Sequence, residues 1–181
     1  IFTPNDTTNY TTATVTVALT VAPKDITGAL VGAFETMTYN GGAQTPSAVV
    51  TIDGLTAEGR WSQVTNVTDT TTFTASGNFT GTIENLNPGM QKLPLTGATI
   101  TLESDSLIYN GSAQSVTITS VKVGDVVVPA EAYSVSGNSG TEVNNYTLTV
   151  TAKENTNFTG SATKGFTIAR SGSVIGNENI M

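Results

Sequence analysis

Met37-Thr38-Tyr39-Asn40-Gly41-Gly42-Ala43-Gln44 returns seventy residues later as Leu107-Ile108-Tyr109-Asn110-Gly111-Ser112-Ala113-Gln114, and this repetition decides the fold. Ile26-Thr27-Gly28-Ala29 likewise returns as Leu95-Thr96-Gly97-Ala98. A third landmark occurs three times, as Asn9-Tyr10-Thr11, Asn78-Phe79-Thr80-Gly81 and Asn157-Phe158-Thr159-Gly160. Self-similarity at a steady spacing marks a supersecondary unit written more than once. The spacing stretches in the last interval, as residues inserted in loops would cause.

Inside each copy the apolar period is two. Val15, Val17, Leu19 and Val21 alternate with Thr14, Thr16, Ala18 and Thr20, and Tyr146, Leu148, Val150 and Ala152 repeat the pattern. Such alternation predicts strands with one buried and one wet face. Asn-Gly at 40–41 and 110–111 predicts a hairpin or tight turn, since both residue types tolerate positive φ. No window shows an amphipathic helical stripe; Pro129-Ala130-Glu131-Ala132 fits a single turn. The expected fold class is all-β, as tandem small antiparallel sandwiches.

The repeat divides the chain into residues 1–24, the trailing strands of a preceding copy; 25–95, a first module; 96–170, a second; and 171–181, a polar tail. Pro23-Lys24-Asp25 and Pro88-Gly89-Met90 interrupt the strand pattern near the cuts. A module of this size has a shallow core and gains from stacking on a neighbour. A two-stranded remnant is not stable alone in water, so residues 1–24 need somewhere to dock. The chain opens at Ile1 inside what reads as a strand, which points to a longer parent protein.

Composition removes most chemistry. Among 181 residues there is no Cys and no His, while roughly a fifth are Thr, so thiolate and imidazole chemistry are excluded. Fourteen acidic against seven basic residues give a net charge of −7. That balance repels phosphate backbones and anionic membranes, and the basic residues are scattered singly. The longest apolar stretches, such as Val126 to Ala130, are far short of the roughly 20 residues of a spanning helix. No nucleic-acid partner and no membrane insertion are expected, and no cofactor.

The residues quoted above resemble a recurrent immunoglobulin-like repeat of large bacterial surface and secreted proteins. That type reads Tyr-x-Gly-x-Ala, a Gly-containing turn, a Tyr-x-Val strand, and Thr-Val strands around Asn-(Tyr/Phe)-x-Gly. In the second module it covers Tyr109-Asn110-Gly111-Ser112-Ala113, Ala132-Tyr133-Ser134-Val135-Ser136-Gly137-Asn138, Tyr146-Thr147-Leu148-Thr149-Val150, Asn157-Phe158-Thr159-Gly160 and Phe166-Thr167-Ile168. The first module departs from it: Trp61 stands where Tyr133 aligns, and Asn87-Pro88-Gly89 breaks the closing strand. The resemblance implies an antiparallel sandwich, with a β-grasp-like module as the structural alternative. It also implies a non-enzymatic spacer or adhesive element at the bacterial cell surface, with neighbouring repeats as partners.

Trp61 is the candidate ligand-binding residue, because an exposed indole face can stack on a sugar ring; a glycan or host surface protein is then the partner. Its alignment with an aromatic of the second module points instead to packing, and Tyr39 and Tyr109 read the same way, each beside a turn. Two carboxylate pairs are the candidates for catalysis, Glu103 with Asp105 and Asp53 with Glu58. Glu103 and Asp105, two apart on an expected strand, share a face, but a module this small offers no deep cleft for a glycosidase pair. No catalytic residue is assigned. Asp25, Glu35, Glu103 and Asp105 lie near the junctions, yet no Asp-x-Asp-x-Asp loop exists, and no metal ligand is assigned.

Overall fold

A computed structural model describes residues 1 and 3–172. Of the expected polar tail, residues 173–181 lie outside the described residues. The fold is all-β and sandwich-type, with one 3₁₀ turn among the described residues, at Ala130–Ala132 where the sequence predicts one.

The second repeat shows the architecture best. One sheet carries Ser106–Ile108, Ser161–Ala169, Asn144–Ala152 and Tyr133–Ser136 in that spatial order; the other carries Thr99–Leu102, Ile118–Val123 and Val126–Val127. On Asn144–Ala152 the period-two reading holds: Leu148 and Val150 are buried, with Tyr146 and Ala152 half-buried on the same face. They meet Leu95, Ile100, Val116, Val121, Val128, Phe158, Phe166 and Ile168 in one apolar cluster. Burying a side chain of this size is worth about 1.5–3 kcal/mol, so the cluster is what holds the two sheets face to face.

The first repeat uses the same pairings in shorter form. Leu30–Val31, Val50–Ile52 and Leu55–Thr56 make one sheet, and Gly59–Trp61, Thr71–Ala75 and Thr82–Leu86 the other. The correspondence extends to single hydrogen bonds. Ala29 N–H donates to Ile26 O as Ala98 donates to Leu95 O, Ala57 to Val50 O as Val128 to Val121 O, and Ala75 to Gly81 O as Ala152 to Gly160 O. Its core is thinner, with Ile26, Val50, Ala57 and Phe73 at the centre. The closing strand stops at Leu86 before Asn87-Pro88, as expected of a residue that cannot join a ladder, and resumes only as a bridge from Gln91 to Thr38.

Several expectations are corrected. Not every pairing is antiparallel: Lys24–Asp25 runs parallel to Phe79–Thr80, Leu93–Pro94 to Phe158–Thr159, and Ser106–Ile108 to Thr167–Ala169. Alternation reports which face is buried and is blind to strand direction. Leu93 to Leu95, which the sequence division leaves at the end of the first module, pair and pack with the second.

The Asn-Gly dipeptides make tight turns but no hairpins. Gly41 and Gly111 take φ of 85° and 81°, and the Asn40 and Asn110 side chains accept the N–H of Gly42 and Ser112. The flanking segments pair elsewhere: Thr38 with Gln91 and Gln44 with Val64, Ser106–Ile108 with Thr167–Ala169 and Gln114–Ser115 with Ser139–Gly140. The two-residue hairpins sit at Asp53-Gly54 and Gly124-Asp125, where positive φ suits the strand twist.

Residues 14–23 form no ladder. Val15, Val17, Leu19 and Val21 are 78–86% exposed, so the half-buried strand predicted there has no second face to pack on within the described residues.

Candidate functional site

The chain's most specific polar geometry lies where the two repeats meet. After the bridge at Val64 the first repeat turns through Asn66–Asp69. Asp69 accepts the N–H groups of Thr65 and Asn66 at 2.8 and 2.7 Å, and its own N–H donates to Asn66 O at 3.0 Å. Those donors hold the Asp69 carboxyl below its ordinary value, the Asn66 N–H most and the Thr65 N–H next. A loop closed on its own carboxylate presents the next N–H, that of Val67, in a fixed direction.

Asn157 of the second repeat meets it. Its side-chain oxygen accepts the Val67 N–H at 2.9 Å, and its Nδ2 donates to Asn66 Oδ1 at 2.9 Å. Since a backbone N–H can only donate, the Val67 bond fixes which end of the amide faces it. Asn157 is itself anchored, its carbonyl accepting the N–H of Leu93 at 2.9 Å. The next residue, Phe158, is buried in the second core and receives the Tyr39 ring edge-on, with centroids 5.4 Å apart at 80°. Beside Tyr39, a Cβ added at Gly41 would lie 3.4 Å from Val126. The joint therefore pairs a two-point amide clasp with an apolar contact, which fixes rotation as well as separation.

Trp61 stands on Gly59–Trp61, half-buried, its ring 5.0 Å from Phe34 and 4.9 Å from Phe73. The strand register places it differently from the sequence alignment. Gly59 faces Ala75 as Tyr133 faces Ala152, so Trp61 occupies the position of Val135, two residues on. The aromatic missing at Gly59 is supplied from across the ladder: a Cβ there would collide with the Phe73 ring.

The carboxylates stay apart from any common site. Asp53 pairs with Lys24 at 2.7 Å, while Glu58 O accepts the N–H of Ser76. Glu103 and Asp105 lie in the bend between Thr99–Leu102 and Ser106–Ile108, not on a strand as the sequence reading has them. Asp25, one of the four acidic residues near the junctions, is occupied by Thr27, whose hydroxyl first and N–H second lower its pKa. Among the described residues no group of three or more acidic side chains is placed to hold a metal ion.

In the sequence Asn157 stands out as part of a landmark, and Asn66 and Asn157 each open an Asn-x-Thr triplet of a kind that this composition makes common, while nothing there singles out Val67 or Asp69. The available signal was Thr65-Asn66-Val67-Thr68-Asp69, whose Asn and Asp are loop-capping types at the right spacing.

Residues 98–172 match the MBG domain family, a repeat domain of surface-associated and secreted bacterial proteins. The match begins at Ala98, just past Leu93–Pro94, and covers the two sheets of the second repeat. Comparison with curated proteins and with solved structures gave no match. No described helix is long and apolar enough to cross a membrane.

Proposed function

We propose that the two repeats act as a non-enzymatic spacer, a stalk segment of a large extracellular bacterial surface protein or adhesin, with residues 1–24 belonging to a preceding copy. The observation that carries this reading is the joint. Asn157 and Phe158, which supply one side of it, belong to the landmark that recurs in every copy, and Tyr39 belongs to the recurring Tyr-Asn-Gly segment, while the Asn66–Asp69 loop is particular to the first repeat. Mechanism is then geometric. Units that clasp their neighbours at a set angle extend whatever lies at the far end, and the net negative charge resists lateral association.

Small-angle scattering tests this. The expected profile is that of two units in series, and the profile of a single spheroid of this mass would reject the spacer.

A second reading makes the chain a binding module for a glycan or host protein through Trp61 and the end loops. It is motivated by the departure at Trp61, the single Trp, from the Val135 of the other copy. Against it, the half-buried ring packs on both Phe34 and Phe73, as a core residue would. A glycan array comparing the chain with Trp61→Ala checks it: equal binding by both removes the site.

A further inference from the structure

The repeat correspondence leaves one contact half-made. Residues 9–22 align with residues 78–91 without a gap on Asn9/Asn78, Tyr10/Phe79 and Thr11/Thr80, at the same spacing that carries Ile26-Thr27-Gly28 onto Leu95-Thr96-Gly97. In this register Tyr10 stands for Phe79, Leu19 for Pro88 and Val21 for Met90. Pro88 and Met90 are buried against the first repeat, as are Phe166 and Ile168 in the second, yet Leu19 and Val21 are 86% and 81% exposed. The strands that cover Pro88 and Met90 come from earlier in their own repeat. The residues corresponding to them for Leu19 and Val21 would fall ahead of Ile1.

The near end of the first repeat is bare in the same sense. Phe158 is 3% exposed with Tyr39 on it, whereas its counterpart Phe79 is only half-buried, packed on its own core with no ring partner among the described residues. Val126 is half-buried near Gly41, whereas its counterpart Leu55 is 53% exposed. Asn157 clasps Val67 and Asn66, whereas the side chain of its counterpart Asn78 makes no hydrogen bond among the described residues.

We infer that this end, formed by Leu55, Asn78 and Phe79, is a docking surface for another copy of the same repeat, and that residues 9–22 are the closing strand of that copy. The occupant's matching face is the one already seen on the first repeat: the Asn66–Asp69 loop with its outward Val67 N–H, and the ring of Tyr39. The inference rests on the serial reading above and adds to it the surface, its occupant and the strand exchanged.

The test joins a second copy of residues 24–77 directly ahead of Asn9 in the full chain, so that residues 9–22 follow it as 78–91 follow the original. Amide hydrogen exchange is then read at residues 15–21 and at both Val67 positions. Exchange is expected to slow about tenfold or more at residues 15–21 and at the added Val67. Asn78→Ala should release the added Val67 and leave the original protected. A companion chain with residues 78–91 replacing 9–22 separates strand from surface: protection there but not in the first chain overturns the strand assignment. No protection of the added Val67 in either overturns the docking surface. If instead the original Val67 exchanges freely in the unaltered chain, the serial reading itself has failed.

Discussion

The Asn157 side chain accepts the Val67 N–H at 2.9 Å while donating to Asn66 Oδ1, joining residues ninety positions apart in the chain. Each such bond contributes about 0.5–1.5 kcal/mol net. Asn157→Ala should therefore cost about 1–3 kcal/mol of joint stability, read as faster exchange at Val67 with the second core unaltered. Asn157→Asp retains the acceptor and loses the donor, so it should fall between the two. Equal exchange in all three chains would show that the clasp does not hold the joint.

The apolar half of the joint can be tested by comparing equivalent tyrosines. Tyr39 lies edge-on to Phe158, while Tyr109, its counterpart, has no ring partner among the described residues. An edge-to-face pair adds about 0.5–1.5 kcal/mol to area burial. Tyr39→Ala should lower the denaturation midpoint more than Tyr109→Ala, and broaden the scattering-derived distance distribution. Identical effects would mean that Tyr39 contributes only to its own repeat.

Acid should loosen the joint through Asp69. Its carboxyl is held below the ordinary 3.8 by the Asn66 and Thr65 N–H groups, so the folded form is favoured above that value. The contribution fades as pH falls from 3.8 through the lower value of the folded state. Over that interval the Asn66 and Val67 amide signals should shift together in NMR titration. Asp69→Asn should flatten the shift, and an unchanged titration in that variant would assign the effect elsewhere.

Two glycines are fixed by aromatic rings. A methyl group at Gly59 would enter the space of the Phe73 ring, and one at Gly140 that of Tyr146, whose hydroxyl is tied to Glu142 N–H and O and whose ring stacks on Phe166. Overpacking of this kind costs about 1–3 kcal/mol. Gly59→Ala and Gly140→Ala should each lower stability by that amount in chemical denaturation, whereas Gly97→Ser, which meets no neighbour, should suffer only from its φ of 77°.

Much of the fold was legible because the repeat and the period-two pattern report burial directly: Tyr146 to Ala152 behaves as read, and Pro88 breaks the strand it was expected to break. What escaped has a common cause. Strand partners are chosen by tertiary context, so Asn40-Gly41 could be read as a turn but not as a turn between different sheets, and Lys24–Asp25 gave no sign of a parallel partner at Phe79. Trp61 was misaligned because its repeat exchanges aromatics across the ladder, Phe73 filling the space above Gly59 while Val150 stands opposite Val135 in the second repeat. The joint was invisible for a further reason. Its polar residues, Asn66, Asp69 and Asn157, are ordinary loop types, and only the fold brings them within bonding distance.

The clasp joins unlike surfaces, the Asn66–Asp69 loop of one repeat and Asn157 of the next, rather than two copies of one self-complementary patch. In the proposed series such a contact is directional: a unit whose loop is engaged still offers its own Asn to another partner, as the first repeat does with Asn78. Growth by duplication then depends on each new unit keeping the loop, which the second repeat replaces with Thr141-Glu142-Val143-Asn144-Asn145.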